Sequence, residues 1–114
     1  KEQLEGADRK SQLFKKFVGL IHTHCIEQRD VSFYAEKLCI SPRYLSEVTR
    51  SVTKHSTKKI IDEFLILEIK VLLQTTNLSL KEIAERCRFP DQSLFGRYFK
   101  KHTGMSPKEF REKV

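Results

Sequence analysis

The chain is expected to be all-α, with about seven helices, and three observations predict it. Apolar residues recur at three- and four-residue spacing in segment after segment. Helix-start signals, Ser, Asp or Ser-Pro ahead of such a segment, recur along the whole chain. No stretch competes with the two-residue alternation of a half-buried strand.

Residues 1–10, KEQLEGADRK, are polar and charged and are expected to be a tether from a domain upstream. Leu13, Phe14, Phe17, Val18, Ile21 and Cys25 then mark an amphipathic helix from about Ser11 to Ile26. Asp30 is a good N-cap for a short helix whose apolar face is Val31, Tyr34, Ala35 and Leu38. Ser41-Pro42 pairs an N-cap with proline at the first helical position and opens a helix to about Thr53. Its inward face is Leu45, Val48, Thr49 and Val52. A long helix follows from about Thr57 to Gln74, apolar over a broad arc that includes Ile60, Ile61, Leu65, Leu67 and Ile69. That arc looks fully used in packing, so no effector pocket is expected there.

The pattern then restarts. Ser79 and Glu82 form a capping box ahead of a short face made of Leu80, Ile83, Ala84 and Cys87. Asp91 caps a helix to about His102, with Leu94, Phe95, Tyr98 and Phe99 inward. Gly104 ends it as a left-handed C′ residue. Ser106, Pro107 and Glu109 open a last short helix that buries Phe110.

Two copies of one unit are visible. DVSFYAEKL from residue 30 lies over SLKEIAERC from residue 79, and SPRYLSEVTR from 41 over DQSLFGRYFK from 91. Each copy is a capped helix, a tight turn and a second capped helix, which is a helix-turn-helix. The expected organisation is the tether, a first helix-turn-helix subdomain over 11–56, a linker helix over 57–76 and a second subdomain over 77–114, a homeodomain-like tandem.

Charge follows the repeat. The net charge is +7 over 114 residues. Arg43, Arg50, Lys54, Lys58 and Lys59 face the single carboxylate Glu47 within 41–59. Arg86, Arg88, Arg97, Lys100, Lys101, Lys108 and Arg111 outnumber Asp91 and Glu109 within 86–111. The remainder is slightly acidic. Clustered positive charge is the footprint of a nucleic-acid binder.

In a helix-turn-helix the second helix enters the DNA major groove. The candidate base readers are therefore Arg43, Ser46, Glu47 and Arg50 in the first unit, and Gln92, Ser93, Gly96 and Arg97 in the second. Arginine can pair with guanine, glutamine with adenine, and glutamate can accept from cytosine N4. Gly96 would let its helix approach closely. Lys54, Lys58, Lys59, Lys100, Lys101 and His102 are the candidates for phosphate, which positions without specifying sequence. Glu47 fits least well beside phosphates. It favours an alternative in which one unit docks a protein of the transcription machinery instead of reading DNA.

Other classes find little support. The sequence holds no nucleophile–base pair, paired-carboxylate motif, Gly-rich phosphate loop or metal cluster, so no enzyme, cofactor or metal is expected. Cys25, Cys39 and Cys87 match no zinc or redox spacing and read as small buried hydrophobes in a reducing cytoplasm. No run is apolar enough for a membrane span.

SLKEIAERCRFPDQSLFGRYFKKHTGMSPKEFR, residues 79–111, resembles the signature of the AraC/XylS family of bacterial transcription regulators. The resemblance rests on Ile83-Ala84, Phe89, Ser93, Phe95, Phe99-Lys100, Gly104, Ser106-Pro107 and Phe110-Arg111, and extends over residues 11–113. It implies a seven-helix DNA-binding domain whose two recognition helices enter successive major-groove segments. It also implies an effector-binding or dimerisation domain upstream in the full-length protein; RNA polymerase is the candidate partner of the docking alternative. Base-touching positions of the family fall here on Arg43, Ser46, Glu47, Gln92, Ser93, Gly96 and Arg97. Two positions depart from the pattern. Arg88 stands where the family usually has glycine, which puts the second turn's geometry in question because a left-handed arginine costs about 1 kcal/mol. Leu65 stands where a linker-helix arginine is common.

Overall fold

The computed structural model describes the backbone of residues 2–113 and the side chains of residues 9–113. Seven helices and no strand occur among the described residues: α1 (Glu2–His24), α2 (Val31–Lys37), α3 (Pro42–Thr53), α4 (Thr57–Thr75), α5 (Leu80–Arg86), α6 (Gln92–Thr103) and α7 (Pro107–Lys113). The chain forms two compact units that divide within α4, between Phe64 and Leu65.

The caps act where the sequence places them. Asp30 accepts from the Ser32 amide, Ser41 from the Tyr44 amide and Asp91 from the Leu94 amide. Ser79 and Glu82 form the reciprocal capping box. Ser106 and Glu109 exchange the same pair of bonds at 2.9 and 3.1 Å. The amide and hydroxyl of each serine hold the Glu82 and Glu109 carboxyls below the usual range. Their stabilisation is present above the ordinary carboxylate pKa and is lost as pH falls through the depressed value.

One boundary is corrected. Residues 2–10, expected as a tether, are helical and continuous with the rest of α1. They lack apolar periodicity, but glutamate, glutamine, leucine, alanine, lysine and arginine are strong helix formers.

The first unit buries Phe17, Ile21 and Cys25 of α1, Tyr34 and Ala35 of α2, Leu45 of α3, and Ile60 and Ile61 of α4 in one core. Phe17 and Tyr34 meet edge to face at 5.5 Å, a favoured aromatic geometry. The Tyr34 hydroxyl donates to the Gln28 carbonyl at 2.6 Å. Burial, with the nearby Cys25 thiol adding to it, pushes the phenol up to about 12 from 10.0. A phenol with a raised folded pKa contributes stability below about pH 10 that is lost as pH climbs towards 12. The first unit is therefore expected to lose stability across that window in thermal melts. Tyr34→Phe should cost about 1 kcal/mol at neutral pH, through the lost hydrogen bond, and flatten the alkaline loss. An alkaline limb of equal steepness in the variant would assign the loss to another group.

The second unit buries Leu65, Ile66, Ile69 and Leu73 of α4, Ile83 and Ala84 of α5, Cys87, and Phe95 and Phe99 of α6. Phe110, expected to be buried, is half-buried and packs its ring 5.6 Å from that of Phe99. Leu65 is fully buried, so its side chain serves the core. Cys39 is exposed, unlike the other two cysteines. The apolar arc of α4 is not wholly covered, since Leu67 is 56% and Val71 51% exposed.

Both helix-turn-helix turns share one backbone solution. The Cys39 amide bonds the Glu36 carbonyl at 3.0 Å, and the Ile40 amide the Ala35 carbonyl at 3.0 Å. Arg88 and Phe89 repeat these bonds to Glu85 and Ala84 at 3.0 and 2.9 Å. This is the Schellman ending, which needs a left-handed residue at C′. Cys39 and Arg88 supply it at φ 58° and 59°. Arg88 therefore does not alter the turn, because two hydrogen bonds and the apolar residue after it hold the geometry against the left-handed cost. Cys39→Gly and Arg88→Gly should each raise stability by up to about 1 kcal/mol, a Tm gain of a few degrees. A lower Tm for both would show that their side chains contribute more than the conformation costs.

Candidate nucleic-acid interface

Each turn delivers one helix with a buried face and a polar face. On α3 the buried side is Leu45, Val48 and Thr49. The Thr49 hydroxyl donates to the Leu45 carbonyl at 2.8 Å and accepts from the Thr57 hydroxyl at 3.1 Å, so this buried polar pair is satisfied. Val52, expected inward, is 41% exposed because it lies in the last turn, beyond the deeply buried residues. On α6 the buried side is Phe95 and Phe99. Leu94, also expected inward, is 38% exposed.

The candidate readers lie on the opposite faces. Arg43, Glu47 and Arg50 of α3 are exposed and Ser46 is half-buried. Gln92, Ser93 and Arg97 of α6 are exposed. Gly96 is half-buried, and a Cβ added there would meet nothing within 4 Å. The helical repeat brings Arg43, Glu47 and Arg50 together at spacings of four and three, and Ser93, Arg97 and Lys100 likewise.

Among the phosphate candidates, Lys54, Lys59, Lys100, Lys101 and His102 are exposed. Lys54 is the left-handed C-cap of α3, at φ 67°. Lys100, Lys101 and His102 crowd the last turn of α6, where the helix dipole favours positive charge. The His102 ring lies 4.5 Å from that of Tyr98. Lys58 is exposed but already engaged, its Nζ 2.8 Å from the Asp62 carboxylate.

The repeat continues past these helices. Thr53 bonds the Thr49 carbonyl at 2.8 Å and accepts from the His55 amide at 3.0 Å. Thr103 does the same with Phe99 at 2.8 Å and Met105 at 3.3 Å. Ser56 and Ser106 then cap α4 and α7 by accepting from Lys59 and Glu109 amides at 3.1 Å each. The two copies are not electrostatically equal, since Glu47 of α3 and Arg97 of α6 occupy equivalent places.

One basic residue has a different job from the one its charge suggests. The Arg111 guanidinium donates to the carbonyls of Leu73, Leu78 and Thr76 at 3.0, 2.7 and 3.4 Å. It ties α7 to the end of α4 and the loop that follows. A late arginine after Phe110 gave no bottom-up signal of this, because its partners are backbone atoms more than 30 residues away.

Among the described residues no group of three or more His, Cys, Asp or Glu side chains could hold a metal ion. Among the described residues no helix is long and apolar enough to cross a membrane.

Comparison with known proteins agrees with this geometry. A family described as a helix-turn-helix domain matches residues 34–113. The arabinose operon regulatory protein of Salmonella typhimurium is 37% identical over 82 residues, which cover 72% of this chain and 29% of that protein. The chain thus spans less than a third of that relative's length. The C-terminal domain of AraT, a response regulator from Geobacillus stearothermophilus, superposes with a TM-score of 0.82 at 28% identity, covering 90% of this chain and 85% of that one. The DNA-binding domain of AdpA, a global transcriptional factor solved with a target DNA, gives 0.76 at 27% identity, covering 87% and 89%.

Proposed function

The chain belongs to the AraC/XylS family of helix-turn-helix DNA-binding transcription regulators, and from that membership we propose that it reads double-stranded DNA with both of its units. In this reading α3 and α6 each enter a major-groove segment, and the segments lie about one turn, roughly 10–10.5 bp, apart. Arg43, Ser46, Glu47 and Arg50 read one segment; Gln92, Ser93, Gly96 and Arg97 read the other. Lys54, Lys59, Lys100, Lys101 and His102 hold phosphates, with Lys58 contributing less because Asp62 competes for it. Two modest interactions in one chain then combine into a useful affinity.

The observation that carries the reading is the paired presentation: two capped helices, each anchored by buried residues, Leu45, Val48 and Thr49 or Phe95 and Phe99, with Arg43 and Arg50 or Arg97 exposed. In the full-length protein, an upstream effector-binding or dimerisation domain would control this cytoplasmic DNA reader. RNA polymerase is the partner through which binding would alter transcription.

Arg43→Ala combined with Arg97→Ala tests the reading. Loss of two guanine-type contacts, each worth about 1–3 kcal/mol, should weaken binding to a selected site at least 30-fold. Binding to unrelated duplex should fall far less. Glu47 favours a second reading, in which the first unit docks protein. That reading gains if Arg97→Ala alone accounts for the whole loss.

A further inference from the structure

Leu94 stands apart from the residues already assigned. It lies in the first turn of α6, where a recognition helix places its base contacts. Its neighbours one and two turns along, Arg97 and Lys101, are both exposed and continue the same stripe. The nearby carboxylate, Asp91, is turned to the helix end, accepting from the Leu94 amide at 2.8 Å. Single exposed leucines are ordinary on protein surfaces. The other large exposed apolar residues among those described, Val52, Leu67 and Val71, lie in the last turn of α3 or on α4. Leu94 alone of the four sits in the first turn of a recognition helix, among cations, with 38% of its surface open.

An apolar group at that place has one complement in the major groove, the C5-methyl of thymine. We propose that Leu94 is a specificity-determining residue that packs against a thymine methyl in the segment read by α6. The contact distinguishes thymine from cytosine, which lacks the methyl, without any hydrogen bond. Arg97 and Lys101 hold the helix against the DNA so that the contact is made and water is excluded from it. The equivalent place in the first unit is Tyr44, which is half-buried, so the device belongs to the second unit. The inference rests on the reading that α6 enters the major groove.

The test replaces thymines by deoxyuridine, one at a time, in a duplex site selected by this chain. Deoxyuridine removes only the methyl. Wild type should lose about three- to fivefold in affinity at one position of the second segment, the worth of one buried methyl-sized group. Leu94→Ala should bind thymine and deoxyuridine equally at that position while keeping its other preferences. Leu94→Met should retain the discrimination. Leu94→Ala gives up the covered part of its side chain and should melt a few degrees lower, so affinities are compared at a temperature where melting curves show both variants fully folded. If no position responds to the methyl, or if Leu94→Ala keeps the full ratio, the proposal is overturned while DNA reading stands. If wild type does not distinguish the selected site from a scrambled duplex, the DNA-reading premise itself fails and Leu94 falls with it.

Discussion

Arg111→Ala is expected to unfold the second unit under conditions where the first stays folded. Its guanidinium serves three carbonyls, on Leu73, Thr76 and Leu78, at the end of α4 and in the loop before α5. Hydrogen bonds from a charged donor are worth about 1.5–3 kcal/mol each when broken from one side, and the carbonyls left behind are partly shielded from water. Such terms do not simply add. Even so, a loss of about 2–4 kcal/mol is comparable to the whole stability of a unit this small. Hydrogen exchange resolves the outcome by region. Amides of α5, α6 and α7 should lose protection in the variant, while those of α2 and α3 keep theirs. Arg111→Lys should rescue partially, since an ammonium cannot span all three acceptors. Unchanged protection across α5–α7 in the alanine variant would mean that the three bonds contribute little.

Gly96 should show the opposite separation, with stability and function moving apart. A Cβ at Gly96 meets nothing within 4 Å, and its backbone is ordinary helix. Gly96→Ala should therefore stabilise α6 by up to about 1 kcal/mol, the helix-propensity difference. Gly96→Leu should fold as well as wild type yet bind its DNA site at least tenfold more weakly, about 1.4 kcal/mol. The reason is that the added bulk would stand between α6 and the groove floor, where overpacking costs about 1–3 kcal/mol. Paired melting and affinity measurements decide it. A leucine variant that binds at full strength would place this face of α6 away from the DNA.

The helices were legible because their ends carry strong local chemistry. Ser41-Pro42, Ser79 with Glu82, Asp91 and Gly104 act as read, and α3 has the bounds expected of it. Three features were hidden for identifiable reasons. The left-handed residues Cys39 and Lys54 are not glycine, so composition gave no sign of them, and Arg88 was flagged only through the family resemblance. The helical start of α1 rests on propensity alone, without the apolar period used to find the others. Leu67, Val71 and Leu94 follow apolar spacing yet stay exposed, because spacing says which residues share a face and not how far the covering layer extends. The candidate interface was half legible. Exposure of Arg43, Glu47, Gln92 and Arg97 followed from the helical period. The engagement of Lys58 by Asp62 and of Arg111 by distant carbonyls needed three dimensions.

Charge differs between the two units, and this bears on how they share the work. Arg97 and Lys100 of α6 lie at the places held by Glu47 and Arg50 in α3. On the proposed reading the second unit should therefore supply more of the salt-dependent affinity, and Glu47 in the first unit would contribute selectivity by accepting from cytosine.

The central claim is that one chain reads two groove segments. Selection of binding sites from random duplex DNA by this chain, at two salt concentrations, tests it most directly. The account predicts two short enriched motifs about one helical turn apart, roughly 10–10.5 bp, with affinity falling as salt rises. A single enriched motif, or salt-sensitive binding with no motif at all, would contradict it.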